Sequence, residues 1–449
     1  MSLDRRHFLA GAVAGSAVLT SRPARSAPLS ALGLDAQSLG VRPGSPDDQS
    51  RALQRAIDRA VQSRAPLLLP PGVYRVRDLK LPTGANIVGV RSATRLVATD
   101  ERSLFTAERA DSVSLTGLVL DGGHLPLPSR RGLVHLTAAL GFRISDCEII
   151  RAGGNGITAE RSAGAVTQTV ISDAANMALF SLDSSGLMLT GNIVRRSGNG
   201  GILVWQSERR SDGSLIADNR IEDTAARAGG SGQNGNAINV FRAGNVIVRG
   251  NHIRNAAFSA IRGNAASNIQ IVGNNCGALD EVAIYAEFAF QGAVIADNIV
   301  DSAGVGISVT NFNEGGRLAT VHGNVIRNVA ARRPGTPPEE EGNGISVEAD
   351  TAVSGNVIES VANAGISLGW GKYLRNVVAT ANVVREAGYG IAVSVTSGAG
   401  DAVIANNVIS GARRGAIVGM DHRTPVTGDL AKEGAARYPQ LSIHGNNVS

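Results

Sequence analysis

Gly250-Asn251-His252-Ile253 is followed after a short interval by Ala260-Ile261, and this pair of steps returns along the chain. The same two steps appear in three further places: Gly191-Asn192-Ile193-Val194 with Gly201-Ile202, Asp297-Asn298-Ile299-Val300 with Gly306-Ile307, and Gly355-Asn356-Val357-Ile358 with Gly365-Ile366. A period of roughly two dozen residues is typical of a solenoid, because each unit buries its apolar side chains only by stacking on the next. The sequence therefore predicts a stack of short strands.

The repeated asparagines and the residues after them suit a scaffold. Asn tolerates the left-handed backbone and its side chain bonds to the main chain, so stacked asparagines predict an amide ladder at a turn. These asparagines are Asn192, Asn219, Asn251, Asn274, Asn298, Asn324, Asn356, Asn382 and Asn407. The residue two positions after each is apolar, which predicts a buried column: Val194, Ile221, Ile253, Cys276, Val300, Ile326, Ile358, Val384 and Ile409.

Composition narrows the function classes. The chain contains 43 Lys and Arg residues and 38 Asp and Glu residues, which gives a net charge of +5. Residues 1–26 contribute four Arg and one Asp, so the rest of the chain has a net charge of about +2. A charge this small does not indicate nucleic-acid binding. No His/Cys set with metal spacing, packed Asp cluster or phosphate loop occurs, so no metal and no cofactor is predicted. Cys147 and Cys276 fall about five coils apart, roughly 24 Å, and are not expected to pair.

The first residues predict an export signal. Asp4-Arg5-Arg6-His7-Phe8-Leu9 resembles the twin-arginine signal, and we expect residues 1–26 to be the signal peptide. Its apolar stretch is too short to span a bilayer, and no later segment is expected to do so. The resemblance implies the twin-arginine translocase as a partner during export and a periplasmic or secreted location.

A cap is expected before the repeats. Leu53, Ala56 and Ile57 recur with helical spacing within residues 49–63, and an open coil end needs cover. A helix followed by Leu69-Pro70-Pro71-Gly72-Val73-Tyr74 resembles the start of the pectate-lyase-like superfamily, and the coils resemble it over nearly all of the mature chain. The export signal joined to such repeats also resembles the twin-arginine-translocated repetitive proteins, a family of uncharacterised function.

The resemblance implies an all-β fold, a right-handed parallel β-helix of about 13 coils with a short N-terminal helical cap. We expect the cap and first coils in residues 27–103 and the β-helix repeats in residues 104–449. Handedness comes from the resemblance and not from the period.

Function is expected on the outer face of the strands that contain Gly-Ile, because the residue types at these outward positions differ from one coil to the next. Aromatic rings beside amides and charged groups are typical of sugar binding. We predict these residues to bind substrate: Trp205, Phe241, Arg242, Asn264, Thr310, Glu348 and Trp370. The alternative is that Trp205 and Phe241 only form a stabilising aromatic ladder, and both interpretations can hold together.

Two insertions, residues 224–236 and 332–343, interrupt the same turn, and we expect them to flank one central cleft; neutral surface insertions are the alternative. The centre of that cleft would hold the candidate catalytic residues Arg262, Tyr285 and Glu287. Arg262 or Arg242 would neutralise a substrate carboxylate, and Tyr285 would take or give the proton. To act as a base, Tyr285 would need a neighbouring cation to lower its pKa, and Arg262 is one coil away.

The expected function is that of an exported protein that binds a polysaccharide or cell-envelope glycan, with an acidic polymer favoured, and modifies it as a lyase or epimerase would. A glycosidase would need two carboxylates about 5–9.5 Å apart, and Glu287 with Glu348 is marginal for that. The alternative is a non-catalytic envelope protein with a carbohydrate-binding or structural role. The resemblance favours carbohydrate and supplies no catalytic residue by motif.

Overall fold

The computed structural model describes residues 33–333, 336 and 341–449, so the expected signal peptide lies outside the described residues. The strands form one 16-stranded and one 26-stranded sheet, and strands of successive coils pair in parallel. Antiparallel pairing occurs in the hairpin of Ile417–Asp421 with Thr424–Asp429. The predicted fold class is confirmed: the chain is a right-handed parallel β-helix of about 14 turns, the hand that nearly all parallel crossovers take.

The 16-stranded sheet follows chain order from one end of the stack to the other. Its strands are Leu34–Asp35, Leu67–Leu68, Asn86–Val88, Ser114–Thr116, Leu140–Ser145, Ala163–Thr167, Met188–Thr190, Leu215–Ala217, Ile247–Arg249, Ile269–Val272, Gln291–Ala296, Arg317–His322, Ala349–Ser354, Arg375–Thr380, Ala402–Ala405 and Leu441–His444.

The 26-stranded sheet contains the two other strand columns of each coil, which long strands in several coils join into one. Its strands are Gly72–Val76, Leu79–Lys80, Thr94–Ala98, Phe105–Glu108, Val119–Asp121, Gly132–Thr137, Glu148–Ile150, Asn155–Glu160, Val170–Ser172, Met177–Leu182, Ile193–Ser197, Gly200–Ser211, Arg220–Thr224, Asn236–Gly244, His252–Ala256, Ile261–Asn264, Asn275–Glu287, Ile299–Val309, Val325–Val329, Ile345–Val347, Val357–Leu368, Val383–Ser394, Val408–Ser410, Ile417–Asp421, Thr424–Asp429 and Asn447–Val448.

Helical segments are few. The helix Ser50–Gln62 buries Leu53, Ala56 and Ile57 against the first coils, as its spacing predicted. A short helix Leu430–Glu433 and the 3₁₀ turns Ala36–Leu39 and Phe312–Glu314 complete them. Within the part of the chain that the structure describes, no helix has both the length and the apolarity to cross a bilayer.

The interior is built as the repeat predicts. Every member of the apolar column two residues after the repeated Asn is fully buried, and Cys147 and Cys276 are free and buried. The asparagines form a continuous ladder: in one step, Asn274 Nδ2 donates to Asn298 Oδ1 at 3.0 Å. Buried amides satisfied in this way fix the turn of each coil to the next.

The strands that contain the Gly-Ile step form the surface that we call the front sheet. Its inward residues include Ile261, Ile284 and Ile307, which pair in register and are fully buried. The next residue of each strand therefore points outward, and Arg262 lies beside Tyr285 in the following coil. The front sheet thus brings side chains from distant parts of the sequence onto one surface.

Candidate functional site

Two cavities on the front sheet receive most of the predicted site residues. The one that we call the C-terminal cavity has a volume of about 350 Å³ and is lined by Tyr285, Thr310, Glu348 and Trp370 among others. The one that we call the aromatic cavity has a volume of about 530 Å³, and its lining includes Trp205, Phe241 and Asn264. The expected single cleft is divided into two: Tyr285 of the expected centre lines the C-terminal cavity, and Asn264 lines the aromatic cavity.

Arg262 and Glu287 occupy that centre as a buried ion pair. Arg262 Nε lies 2.6 Å from Glu287 Oε1, Nη2 lies 2.9 Å from Oε2, and the two side chains are 8% and 2% exposed. Asn264 Nδ2 also donates to Glu287 Oε1 at 2.8 Å. Because the two charges neutralise each other, Arg262 is not a free cation for a substrate carboxylate. The sequence had suggested that it would be one.

The two insertions meet through a chain of polar contacts instead of standing apart as walls. Arg262 Nη1 donates to the Ser231 carbonyl at 2.7 Å and lies 3.5 Å from Glu281 Oε2. Arg333 lies 3.4 Å from Glu281 Oε1 and 2.7 Å from Glu341 Oε1. The ion pairs therefore connect the first insertion to the second and separate the two cavities.

Tyr285 does not have the acidity expected of it. The Arg262 guanidinium lies 5.1 Å from the ring centroid of Tyr285, yet burial and the Glu287 carboxylate raise the pKa of the phenol above its usual 10. Arg262 does act to lower this pKa, as predicted, but burial and the Glu287 carboxylate outweigh its effect. Tyr285 is therefore protonated near neutral pH and can donate a proton or a hydrogen bond to a ligand.

Two carboxyl groups of the C-terminal cavity are poised to hold a proton. Burial raises the pKa of Glu348, although its carboxylate accepts the Phe312 backbone N–H at 2.7 Å. Burial also raises the pKa of Glu281, against the opposing effect of Arg262 and Arg333. Carboxyl groups with raised pKa values in a cleft are candidates for acid–base chemistry.

Aromatic and cationic groups also line the C-terminal cavity. Trp370 is 40% exposed, and the His422 ring packs edge-on against it at a centroid distance of 5.2 Å. The guanidinium of Arg414 lies 4.9 Å from the ring centroid of Tyr389. Arg414 Nη2 donates to the Ala362 carbonyl at 3.4 Å, and among the described residues no carboxylate lies within ion-pair distance of Arg414.

Arg242, the remaining predicted binding residue, belongs to neither large cavity. Its guanidinium lies 4.7 Å from the ring centroid of Phe241 and donates to the Ser207 carbonyl at 2.7 Å. With Phe288 and Glu314, it lines a small cavity of about 250 Å³ at the edge of the front sheet.

Sequence reasoning missed several lining residues of the C-terminal cavity: Glu281, Glu341, Tyr389, Arg414 and His422. Glu281 falls where the pairing register shifts between Leu279 and Val282, so no repeat position marks it. His422 follows Asp421 in the late hairpin, and its Nδ1 lies 2.7 Å from Asp421 Oδ1.

A third cavity, of about 300 Å³, lies near the N-terminal helix and contains His135. His135 is 7% exposed and, among the described residues, its Nδ1 has no hydrogen-bond partner. Burial, assisted by the charge of Arg131, lowers the pKa of His135 to about 4. The ring is therefore neutral at physiological pH.

This shift predicts an acid-sensitive stability. Between about pH 6.5 and 4 the unfolded chain binds a proton at His135 that the folded chain does not, so stability falls as the pH is lowered through this window, by up to about 3 kcal/mol. We expect His135→Gln to flatten that part of the profile in urea titrations at several pH values. If the unfolding free energy of His135→Gln fell between pH 7 and pH 4 by as much as that of the unaltered chain, the result would contradict the burial of His135.

The comparisons with known proteins add a family likeness and a fold likeness. Residues 140–333, less than half of the chain, match the family model described as "Periplasmic copper-binding protein (NosD)". No curated protein matches the chain.

Solved structures share the fold at low identity. The surface adhesin PfbA of Streptococcus pneumoniae is 15% identical with a TM-score of 0.51, over 86% of this chain and 91% of the adhesin chain. The N-terminal fragment of gene product 12 of bacteriophage phi29 is 14% identical with a TM-score of 0.55, over 94% and 71%. Identities this low support the β-helix fold alone.

The described residues do not fit a copper site of the kind that the family description names. No group of three or more His, Cys, Asp or Glu side chains lies close enough to hold a metal ion in residues 33–333, 336 and 341–449. Cys147 is buried with its pKa raised to about 11, and Cys276 is buried with its pKa raised to about 12, so neither is a ready thiolate ligand. Residues 140–333 are therefore similar to NosD in sequence pattern, whereas the side chains that the structure describes do not supply a copper site.

Proposed function

We propose that this protein is exported to the periplasm or beyond and binds an acidic polysaccharide in the C-terminal cavity, where it modifies the bound chain by proton transfer. One observation carries the proposal: the cavity is lined by an exposed Trp370, the exposed Arg414 and a largely buried Glu348. The periplasmic family likeness of residues 140–333 and the twin-arginine pattern at Arg5-Arg6 support the location.

The aromatic and cationic groups supply recognition. The apolar face of a sugar ring packs on an indole, and Trp370 has 40% of its surface available for that contact. Arg414 offers a charge-assisted hydrogen bond to a carboxylate, which a neutral sugar lacks. The cavity volume of about 350 Å³ falls in the range of small-ligand pockets and suits a few sugar units of a longer polymer.

The protonated groups supply the chemistry. Lyases and epimerases both remove the proton next to the sugar carboxylate; a lyase then protonates the departing glycosidic oxygen, and an epimerase returns a proton to the opposite face of the same carbon. Burial raises the pKa of Glu348, which favours a role for this carboxyl group in proton transfer. The phenol of Tyr285, on the same cavity wall, stays protonated and suits the donor role.

The test is a panel of acidic polysaccharides (polygalacturonate, alginate and hyaluronan), read for binding by calorimetry and for product by absorbance of unsaturated ends, chain length and sugar configuration. We expect Glu348→Gln to reduce product formation by about 10²-fold or more while binding persists. Binding without any product would favour the non-catalytic alternative, and no binding to any acidic polymer would refute the proposal.

Neighbouring arginines give a matched control for the charge. Arg414 lines the cavity, whereas Arg413 does not, and both are exposed. We expect Arg414→Gln to weaken binding of the acidic polymer by about 10-fold or more, because a hydrogen bond to a charged group contributes about 1.5–3 kcal/mol. Arg413→Gln should leave the dissociation constant unchanged; equal losses in the two variants would mean that only the general charge of the surface matters.

A further inference from the structure

We infer that the aromatic cavity is a second carbohydrate site, which takes an uncharged sugar and acts independently of the C-terminal cavity. The inference goes beyond the proposed function and does not require that an acidic polymer be bound or modified. It rests on how the aromatic cavity is built, on the chemistry of its lining and on what separates it from its neighbour.

Apolar side chains cover the outside of the front sheet at this place. Met177, Phe180 and Leu203 form a cluster apart from the main core, although each is at most 8% exposed. Leu203 follows the inward Ile202 and therefore points away from the interior of the coil. Met177 and Phe180 of this cluster line the cavity and give it an apolar floor.

Three aromatic rings stand in a row across successive coils. The centroids of Phe180 and Trp205 lie 5.4 Å apart and those of Trp205 and Phe241 lie 5.6 Å apart, both in edge-on contact. Trp205 Nε1 donates to Asn239 Oδ1 at 3.3 Å, which fixes the indole. The rings are thus held in place before a ligand arrives, which lowers the entropy cost of binding.

Amides supply the polar part of the lining. The amide side chains that line the cavity are Asn155, Asn176, Gln233, Asn234, Asn239 and Asn264. Contacts within the protein orient several of them, as when Asn239 Nδ2 donates to the Gly232 carbonyl at 3.0 Å. Amides both donate and accept hydrogen bonds, as sugar hydroxyl groups do.

The lining of the aromatic cavity carries fewer charged side chains than the lining of the C-terminal cavity. Among the described residues that line the aromatic cavity, Arg130 is the one charged side chain, and no carboxylate is present. The C-terminal cavity, in contrast, is lined by Glu281, Glu341 and Glu348 together with arginines. An uncharged polyhydroxyl ligand matches the first lining, and its volume of about 530 Å³ accommodates more than one sugar ring.

The first insertion forms a fixed wall between the two cavities. Gly232, Gln233 and Asn234 of this insertion line the aromatic cavity, and the neighbouring Ser231 carbonyl accepts a hydrogen bond from buried Arg262. We therefore assign Arg262 a positioning role, since its pair with Glu287 holds this wall in place. The two sites are separated by protein and need not act together.

The test uses neutral hexasaccharides (cellohexaose, maltohexaose and chitohexaose) in calorimetric titrations of the full chain. We expect at least one to bind, with a dissociation constant raised about 10-fold or more in Trp205→Ala. Gly232→Trp should abolish binding while keeping the fold, because a Cβ at Gly232 meets no heavy atom within 4 Å and the new ring would fill the cavity. Trp370→Ala is the control and should leave neutral-sugar binding unchanged.

Three results would overturn the inference: no hexasaccharide binds the unaltered chain at millimolar concentration, Gly232→Trp binds as tightly as the unaltered chain, or Trp370→Ala loses binding as severely as Trp205→Ala. Acidic polymers are titrated in parallel. If they fail to bind while cellohexaose, maltohexaose or chitohexaose binds, the proposed function fails and this inference stands.

Discussion

Arg262→Leu is expected to lower the free energy of unfolding by about 3–5 kcal/mol, because it leaves the Glu287 carboxylate buried without its partner. Glu287 is 2% exposed and, among the described contacts, would keep the hydrogen bond from Asn264 as its remaining support. The measurement is urea unfolding followed by circular dichroism at pH 7.

The double variant Arg262→Leu/Glu287→Leu separates lost pairing from lost packing. Replacing both partners of a buried pair by apolar residues is often nearly neutral, so most of the lost stability should return. Arg385→Ala is the surface control, since its pair with Glu359 at 2.8 Å is exposed and contributes about 0–1 kcal/mol. If Arg262→Leu matched Arg385→Ala, the buried pair would not support the front sheet as described.

Asn298→Ala is expected to cost about 2–6 kcal/mol, because it breaks the amide ladder in mid-stack. The Asn298 side chain donates to the Ile271 carbonyl at 2.9 Å and to Asn324 at 3.0 Å, and it accepts the Asn274 backbone N–H at 2.9 Å. Removing it leaves about two buried polar groups unsatisfied, each costing about 1–3 kcal/mol.

The neighbouring Asn275 gives the control, since it is exposed and lies outside the ladder. Asn275→Ala should change the unfolding free energy by less than about 0.5 kcal/mol. Because each coil contacts only its neighbours, Asn298→Ala should also broaden the transition as the stack begins to unfold in two parts. A loss as small as that of Asn275→Ala would show that the ladder does not hold the coils together.

The scaffold was predictable from the sequence because the same pattern of buried and exposed positions recurs in every repeat. An apolar residue two positions after each Asn can only be an interior column, and Val194 and Ile409 are as fully buried as the members between them. Small deviations, such as Cys276 in that column, do not hide the pattern. The period therefore determined which face each residue takes, although the hand required the family resemblance.

The residues of the candidate site were predictable only where they lie at a fixed distance from the Gly-Ile step of their repeat. Tyr285, Glu348 and Trp370 were assigned to the front sheet from their distance to Gly-Ile, and all three line the C-terminal cavity. The pairing of Arg262 with Glu287 was missed because long side chains reach diagonally between coils, and their contacts depend on rotamers that the period does not specify. Glu281 and His422 were missed because a register shift and a hairpin lie outside the repeat.

The most direct test of the central claim is the dissociation constant of one acidic hexasaccharide, hexagalacturonate, for the unaltered chain, Trp370→Ala and Trp205→Ala. The two tryptophans line different cavities. If acidic glycan binds in the C-terminal cavity, Trp370→Ala raises the dissociation constant about 10-fold or more, and Trp205→Ala leaves it unchanged. A loss in Trp205→Ala with none in Trp370→Ala, or no binding to the unaltered chain, would contradict the account.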